Sequence, residues 1–282
     1  MKGTPWIDLL YRILLLLFLA GASVEMIGMC LLFAPVMELD MDAERMDAFR
    51  RQELSAETLE YLEQAEEQLG LSKGELLSVW MPAKRFDLSS PEGLPTEQFS
   101  SQKELFERYR KKEAASLRSL YGAIWDDLVY FPTETGVTYE DSWMFERNYG
   151  GRRGHEGCDL MPPENVSGRY PVFSMTDGVV EKIGWLEKGG YRIGIRSPKG
   201  GYFYYAHLSD YGGGFSVGQR VRAGEILGFM GDTGYGPEPT RGKFDVHLHL
   251  GIYVNSREGE EISVNPYWIL KSLERRKLKY RH

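Results

Sequence analysis

The chain predicts a mainly β domain in its second half, preceded by an apolar N-terminal helix and a helical segment. Three observations carry this. Residues 13–33 are almost continuously apolar, residues 55–128 place apolar side chains three and four apart, and from Phe131-Pro132 onward short alternating runs are punctuated by glycine. The boundaries drawn are 1–40 for the N-terminal segment, 41–130 for the helical segment and 131–282 for the β domain.

The first element is Ile13-Leu14-Leu15-Leu16-Leu17-Phe18-Leu19-Ala20-Gly21-Ala22, after which apolar character resumes from Met26 to Met37. A membrane-spanning helix needs about 20 residues, which 13–33 supplies at the cost of one Glu25. A charge in mid-span costs about 3 kcal/mol, and the apolar positions 13–19 offset it at a few tenths of a kcal/mol each. Lys2 and Arg12 precede the span, whereas Glu38, Asp40, Asp42 and Glu44 follow it. The positive-inside rule then leaves the N-terminus in the cytoplasm and the remainder outside. A rival reading is a signal peptide cleaved after Ala20-Gly21-Ala22, giving a secreted protein. The uncleaved anchor is preferred, because cleavage would leave an apolar new N-terminus. A lipoprotein is disfavoured, since Met29 precedes Cys30 where a small residue is expected, and a buried helix of a soluble protein ranks last.

In the helical segment, Ser55 is placed to cap a helix with Leu59, Leu62, Ala65 and Leu69 on one stripe, ended by Gly70. Ser72-Lys73-Gly74-Glu75 is a capping-box pattern opening a short helix that Pro82 ends. Residues 83–95, with Pro91, Gly93 and Pro95, read as a linker. Ser101-Gln102-Lys103-Glu104 then opens one longer helix carrying Leu105, Tyr109, Leu117, Leu120, Tyr121, Ile124 and Leu128. One apolar stripe per helix predicts a small bundle or hairpin without a catalytic constellation of its own.

In the second half, Tyr170–Phe173, Val179–Gly184, Tyr191–Ile195 and Tyr202–Ala206 read as strands, with Gly189-Gly190 and Lys199-Gly200-Gly201 as hairpin connections. Val264-Asn265-Pro266-Tyr267-Trp268-Ile269-Leu270 begins a terminal segment of one or two helical turns. The net charge is −7, from 34 Lys and Arg against 41 Asp and Glu, and no glycine-rich phosphate loop is present, so nucleic acid is not an expected partner. Two cysteines, Cys30 and Cys158, make no disulfide framework.

The chemistry-bearing residues sit in this β half. Four of the five histidines fall in one pattern there, His155, His207, His247 and His249; only the terminal His282 lies outside it. A lone histidine in a strand is ordinarily a satisfied structural residue. Here His155-Glu156-Gly157-Cys158-Asp159 places a carboxylate four residues after an imidazole, and His247-Leu248-His249 sets two imidazoles on one face of a strand. A catalytic zinc site takes three ligands from such groups and keeps a fourth position open. The chain therefore offers enough groups to hold the ion and histidines left over to move protons.

Arg153–Leu160, Tyr205-Ala206-His207-Leu208-Ser209 and His247-Leu248-His249-Leu250-Gly251, with Asp177–Val180, Val217–Val221 and Gly228–Gly234 between them, resemble the signatures of the lysostaphin-type (M23) zinc endopeptidases over roughly residues 146–270. The resemblance implies a compact antiparallel β fold around zinc, and cleavage of peptide bonds in the cross-links of bacterial peptidoglycan. Carried over position by position, it implies His155, Asp159 and His249 as ligands and His207 and His247 as the catalytic pair, their two roles undivided. Cys158 beside Asp159 is read as a small buried apolar residue. Glu156, on an extended segment, is expected to point away from the metal, and no H-E-x-x-H helix supports a thermolysin-type assignment. One departure is that Lys243-Phe244-Asp245-Val246, rather than a Gly-Pro, precedes His247, behind a long Gly234–Gly242 loop expected to shape the groove. The expected protein is thus a membrane-anchored, outward-facing zinc metalloendopeptidase. The alternative is a catalytically silent scaffold or activator that binds a cell-wall, division or sporulation partner.

Overall fold

The computed structural model describes residues 5–149 and 151–280; Lys2 and His282 lie outside the described residues. The chain opens with α1 (Pro5–Glu38), α2 (Asp47–Arg51), β1 (Glu53–Leu54), α3 (Ala56–Leu69), α4 (Lys73–Ala83) and β2 (Asp87–Leu88). It continues through α5 (Thr96–Tyr109), α6 (Lys111–Trp125), β3 (Glu146–Arg147), β4 (Arg153–Gly154), β5 (Cys158–Leu160), β6 (Pro171–Phe173) and β7 (Gly178–Leu186). The remaining elements are β8 (Gly190–Arg196), β9 (Tyr202–Tyr211), β10 (Arg220–Val221), β11 (Ile226–Met230), β12 (Leu248–Asn255), β13 (Glu261–Val264) and α7 (Tyr267–Leu273).

Within α1, Ile13–Glu38 is long and apolar enough to cross a membrane. Its leucines are left uncovered, as at Leu16 and Leu17. Among the described residues, only its C-terminal end meets the rest of the protein. Val36 and Leu39 are buried there, Phe33 lies 5.6 Å from the Tyr109 ring, and Arg110 donates to the carbonyls of Val36 and Met37, each at 3.0 Å.

Local signals account for α3 and α4. The Ser55 hydroxyl accepts from the Thr58 amide, Gly70 closes α3 in the left-handed region at φ 65°, and Ser72 and Glu75 form the reciprocal capping box. Pro82 does not stop α4, which runs one residue further to Ala83, since proline in the last turn withholds a single hydrogen bond. Two expectations are corrected. Residues 83–95 are not a bare linker, because β2 pairs in parallel with β1 and Phe86, Leu88 and Leu94 are buried. Ser101 does not open a long helix either. α5 begins at Thr96 and the helix breaks at Arg110, whose extended φ of −136° lets its guanidinium bind the end of α1.

The main sheet is antiparallel, ordered β10-β7-β8-β9-β11-β6. β12 adds to β9 beside β11 and also pairs with β5 and β13. Alternation along β8, β9 and β12 sends Ile193, Ile195, Phe203, Tyr205, Leu250 and Ile252 into the core. The opposite face, bearing Arg192, Tyr204, His249 and Tyr253, lines a groove. Burying six such side chains contributes on the order of 1.5–3 kcal/mol each, which anchors the groove's floor rigidly. The helices are locked to this sheet: Arg50 donates to the Ser263 carbonyl and hydroxyl, and the Arg50 carbonyl accepts from the Asn265 amide. Asp126 at the end of α6 joins the Gly74 amide and the Lys199 ammonium.

Candidate metal centre

His155 and Asp159 come from the extended run through β5, and His249 from β12, whose register sets His249 directly opposite Asp159. The three meet closely. His155 Nε2 lies 3.0 Å from Asp159 Oδ1 and 3.0 Å from His249 Nδ1, and His249 Nδ1 lies 2.9 Å from the same Oδ1. Gly157 makes this possible, for a Cβ there would lie 2.5 Å from His249 Cε1 and 2.6 Å from the Leu250 carbonyl oxygen.

The donor set fits a cation. His155 Nδ1 lies 3.0 Å from the Ser142 hydroxyl and 3.2 Å from the Ser142 carbonyl, and with its proton directed at that carbonyl Nε2 presents a lone pair to the cluster. A carboxylate and imidazole lone pairs crowded together repel unless a proton or cation sits among them. Ligands about 2.0–2.2 Å from a tetrahedral zinc lie roughly 3.3 Å apart, close to the separations found here. Burial disfavours the charged form of Asp159, but the flanking His155 and His249 hold it well below the usual carboxylate range. Burial lowers His249, with Asp159 working the other way. Arg147 grips the outer oxygen, Oδ2, at 2.6 Å.

His207 and His247 lie on the same groove, their ring centroids 4.7 Å apart, and His207 is 5.9 Å from His249. Each directs Nδ1 to a backbone carbonyl, Thr233 for His207 and Asp245 for His247, both at 2.7 Å. Each therefore carries its proton on Nδ1 and a lone pair on Nε2, that of His247 lying 3.8 Å from Asp159 Oδ1. Burial holds His207 well below its ordinary pKa, with repulsion from His247 and His249 adding to the effect. Asn165 braces the loop before His247, donating to Asp245 at 2.8 Å and accepting from the Val246 amide at 2.7 Å.

Several residues around the site escaped the sequence reading. Phe244 packs edge-on against both His207 and His247, at 4.6 and 5.0 Å. Tyr235, from the Gly234–Gly242 loop, stacks on Tyr149 at 4.1 Å and bridges the groove. That loop's glycine and proline content pointed to Tyr235, and the departure before His247 to Phe244, without a role for either. Glu156 turns to Arg50 at 2.9 Å, away from the cluster, and Cys158 is buried with burial pushing its thiol pKa up.

Residues 153–265 match the model of peptidase family M23. The L-Ala--D-Glu endopeptidase of Bacillus subtilis (strain 168) is 42% identical over 144 residues, covering 51% of this chain and 43% of that protein. Lysostaphin of Staphylococcus simulans is 38% identical over 134 residues, covering 43% of this chain and 24% of that protein. The match thus spans less than half the length of these curated relatives. A solved structure from Ruminococcus gnavus ATCC 29149, described as a candidate glycyl-glycine endopeptidase lytM, superposes with a TM-score of 0.73 at 45% identity, over 84% of this chain and 94% of that one. Agreement at that identity over nearly the whole of another chain reflects common descent, and the chain belongs to peptidase family M23.

Proposed function

We propose that the chain is a membrane-anchored, extracytoplasmic zinc metalloendopeptidase that hydrolyses peptide bonds of bacterial peptidoglycan, the cross-links expected from the sequence included. The observation that carries this reading is the convergence of His155 Nε2, Asp159 Oδ1 and His249 Nδ1 beside two imidazoles with a lone pair on Nε2. Zinc held by those three residues supplies Lewis-acid polarisation of a carbonyl and activation of water. His207 and His247 divide the proton work. One takes the proton of the attacking water at Nε2 and, as the imidazolium so formed, passes it to the leaving amine; the other, after taking up a proton from solvent at Nε2, donates to the developing oxyanion. Their Nδ1 contacts to Thr233 and Asp245 fix the tautomer whose Nε2 can take up a proton. Phe244 and Tyr235 shield the pair from bulk water. The presence of all five groups on one groove favours catalysis over the scaffold reading.

The length and exposure of Ile13–Glu38 support the anchor. The relatives' names cover three kinds of bond, one between L-Ala and D-Glu, one between glycines and the bond cut by DD-endopeptidases, and each is open to this groove. The test is incubation of the full chain in detergent with purified peptidoglycan, followed by mass spectrometry of released fragments. New peptide termini that depend on zinc support the reading, and intact peptides with zinc bound overturn it.

A further inference from the structure

The groove has a volume of about 800 Å³, and its charges do not cancel. Each of its carboxylates is held by a cation: Glu156 by Arg50, Asp159 by Arg147 and Glu261 by Lys182. Three of its cations, Arg153, Lys188 and Arg192, have no ion-pair partner among the described residues, although the chain as a whole carries a net charge of −7. Two of them are also incompletely solvated. Arg153 Nε and the Nε and Nη1 atoms of Arg192 are shielded from solvent and have no acceptor. Buried guanidinium nitrogens ordinarily have partners, so these mark a place where an acceptor is missing.

The location is specific. Arg192 stands on β8 opposite Gly184, on the same face of the sheet as Tyr204 and His249. Arg153 lies two residues before His155, on the short β4 strand. Both cations act on the Tyr204 hydroxyl, opposing the burial that pushes it up to about 12. Tyr204 in turn packs edge-on against His249, with ring centroids 6.1 Å apart. Both guanidinium groups, Tyr204 and the ligand cluster thus line one groove, where a residue flanking a bound amide would also lie.

We propose that Arg192 and Arg153 form a carboxylate-binding subsite beside the metal centre, so that this enzyme selects an acidic peptide bearing a free carboxylate next to the scissile bond over an uncharged glycine bridge. A guanidinium presents parallel N–H donors that match a carboxylate at both oxygens, and a carboxylate in the groove would supply the counter-charge that these partly desolvated cations lack. A glutamyl residue joined through its side-chain carboxyl has the required group, because its α-carboxylate stays free.

The inference rests on the peptidase reading, and the experiment separates the two. The full chain in detergent micelles is given an L-alanyl-γ-D-glutamyl-L-lysine peptide, the same peptide with the α-carboxylate replaced by a carboxamide, and pentaglycine. Calorimetric binding and turnover are measured in parallel. The free acid should bind and react at least about 10-fold better than the carboxamide or pentaglycine, the scale of a lost charge-assisted pair. Arg192→Gln and Arg153→Gln should each bring that preference below about 3-fold while zinc content is kept. Equal binding of acid and carboxamide by the unmodified chain overturns the subsite, as does a preference that survives both substitutions. A carboxylate preference in binding without turnover upholds the subsite and counts against the peptidase reading alone.

Discussion

His207 donates its Nδ1 proton to the carbonyl of Thr233 at 2.7 Å from a left-handed backbone conformation, φ 62°, inside strand β9. That conformation belongs to a β-bulge. Tyr205 pairs with Ile193 and Leu208 with Tyr191, so β9 spends one more residue than β8 over the same stretch. Regular alternation would send residue 207 into the core with Phe203 and Tyr205, whereas the bulge turns it to the groove. Left-handed backbone is costly for a non-glycine residue and persists where the surroundings over-determine it. Thr233 does so from three sides, taking the imidazole proton, donating its hydroxyl to the Leu208 carbonyl at 2.7 Å and accepting from the Tyr191 amide at 3.1 Å.

The full chain should purify with about one zinc, held by His155, Asp159 and His249. Asp159→Ala and His249→Ala should each lose most of it in elemental analysis. Full retention in both variants would refute the ligand assignment.

Substitution of the other two imidazoles should separate metal from chemistry. His207→Ala and His247→Ala are expected to keep zinc yet lose at least about 100-fold in kcat, the usual contribution of a positioned proton-transfer group. Loss of zinc in one variant would reassign that residue as a ligand.

Gly157→Ala introduces a methyl group 2.5 Å from His249 Cε1 and 2.6 Å from a backbone oxygen. Neither neighbour is the end of a flexible chain, so β5 and β12 must part. The variant should lose about 1–3 kcal/mol of stability, as overpacked cores do, together with zinc affinity. Denaturant titration and a competitive chelator assay read the two effects, and wild-type values in both would contradict the contact.

The depressed pKa of His207 has a consequence for stability. The unfolded chain takes up a proton at this imidazole below about pH 6.5, and the folded chain resists doing so until lower pH. The unfolded state therefore binds more protons, and stability falls as pH drops from about 6.5 towards the folded pKa. His207→Gln should flatten the fall between pH 7 and 5 in urea titrations, and an unchanged slope would count against burial of a neutral ring.

The chain is expected to fractionate with membranes and to be released by protease added outside intact cells, given the exposed apolar length of Ile13–Glu38. N-terminal sequencing of the mature protein decides between anchor and signal peptide. A start at Ser23 would establish cleavage and remove the anchor.

The residues themselves determined those features whose cause lies within a few positions. Caps at Ser55, Gly70 and Ser72, the apolar run of α1, the alternation of β7 to β9 and the spacing of His155 with Asp159 are set by side-chain period and by backbone groups one turn away. The donor types were legible for the same reason, since imidazoles and a carboxylate carry their lone pairs wherever they lie. Only the tertiary structure decided what depends on partners distant in sequence. The helix break at Arg110 comes with a guanidinium bound to the end of α1, 73 residues earlier. The bulge that aims His207 exists because Thr233, 26 residues away, holds it. The unpaired state of Arg192 and Arg153 is a sum over every charge in the groove, and pairing across a sheet has no signature in the residues on either side of one strand.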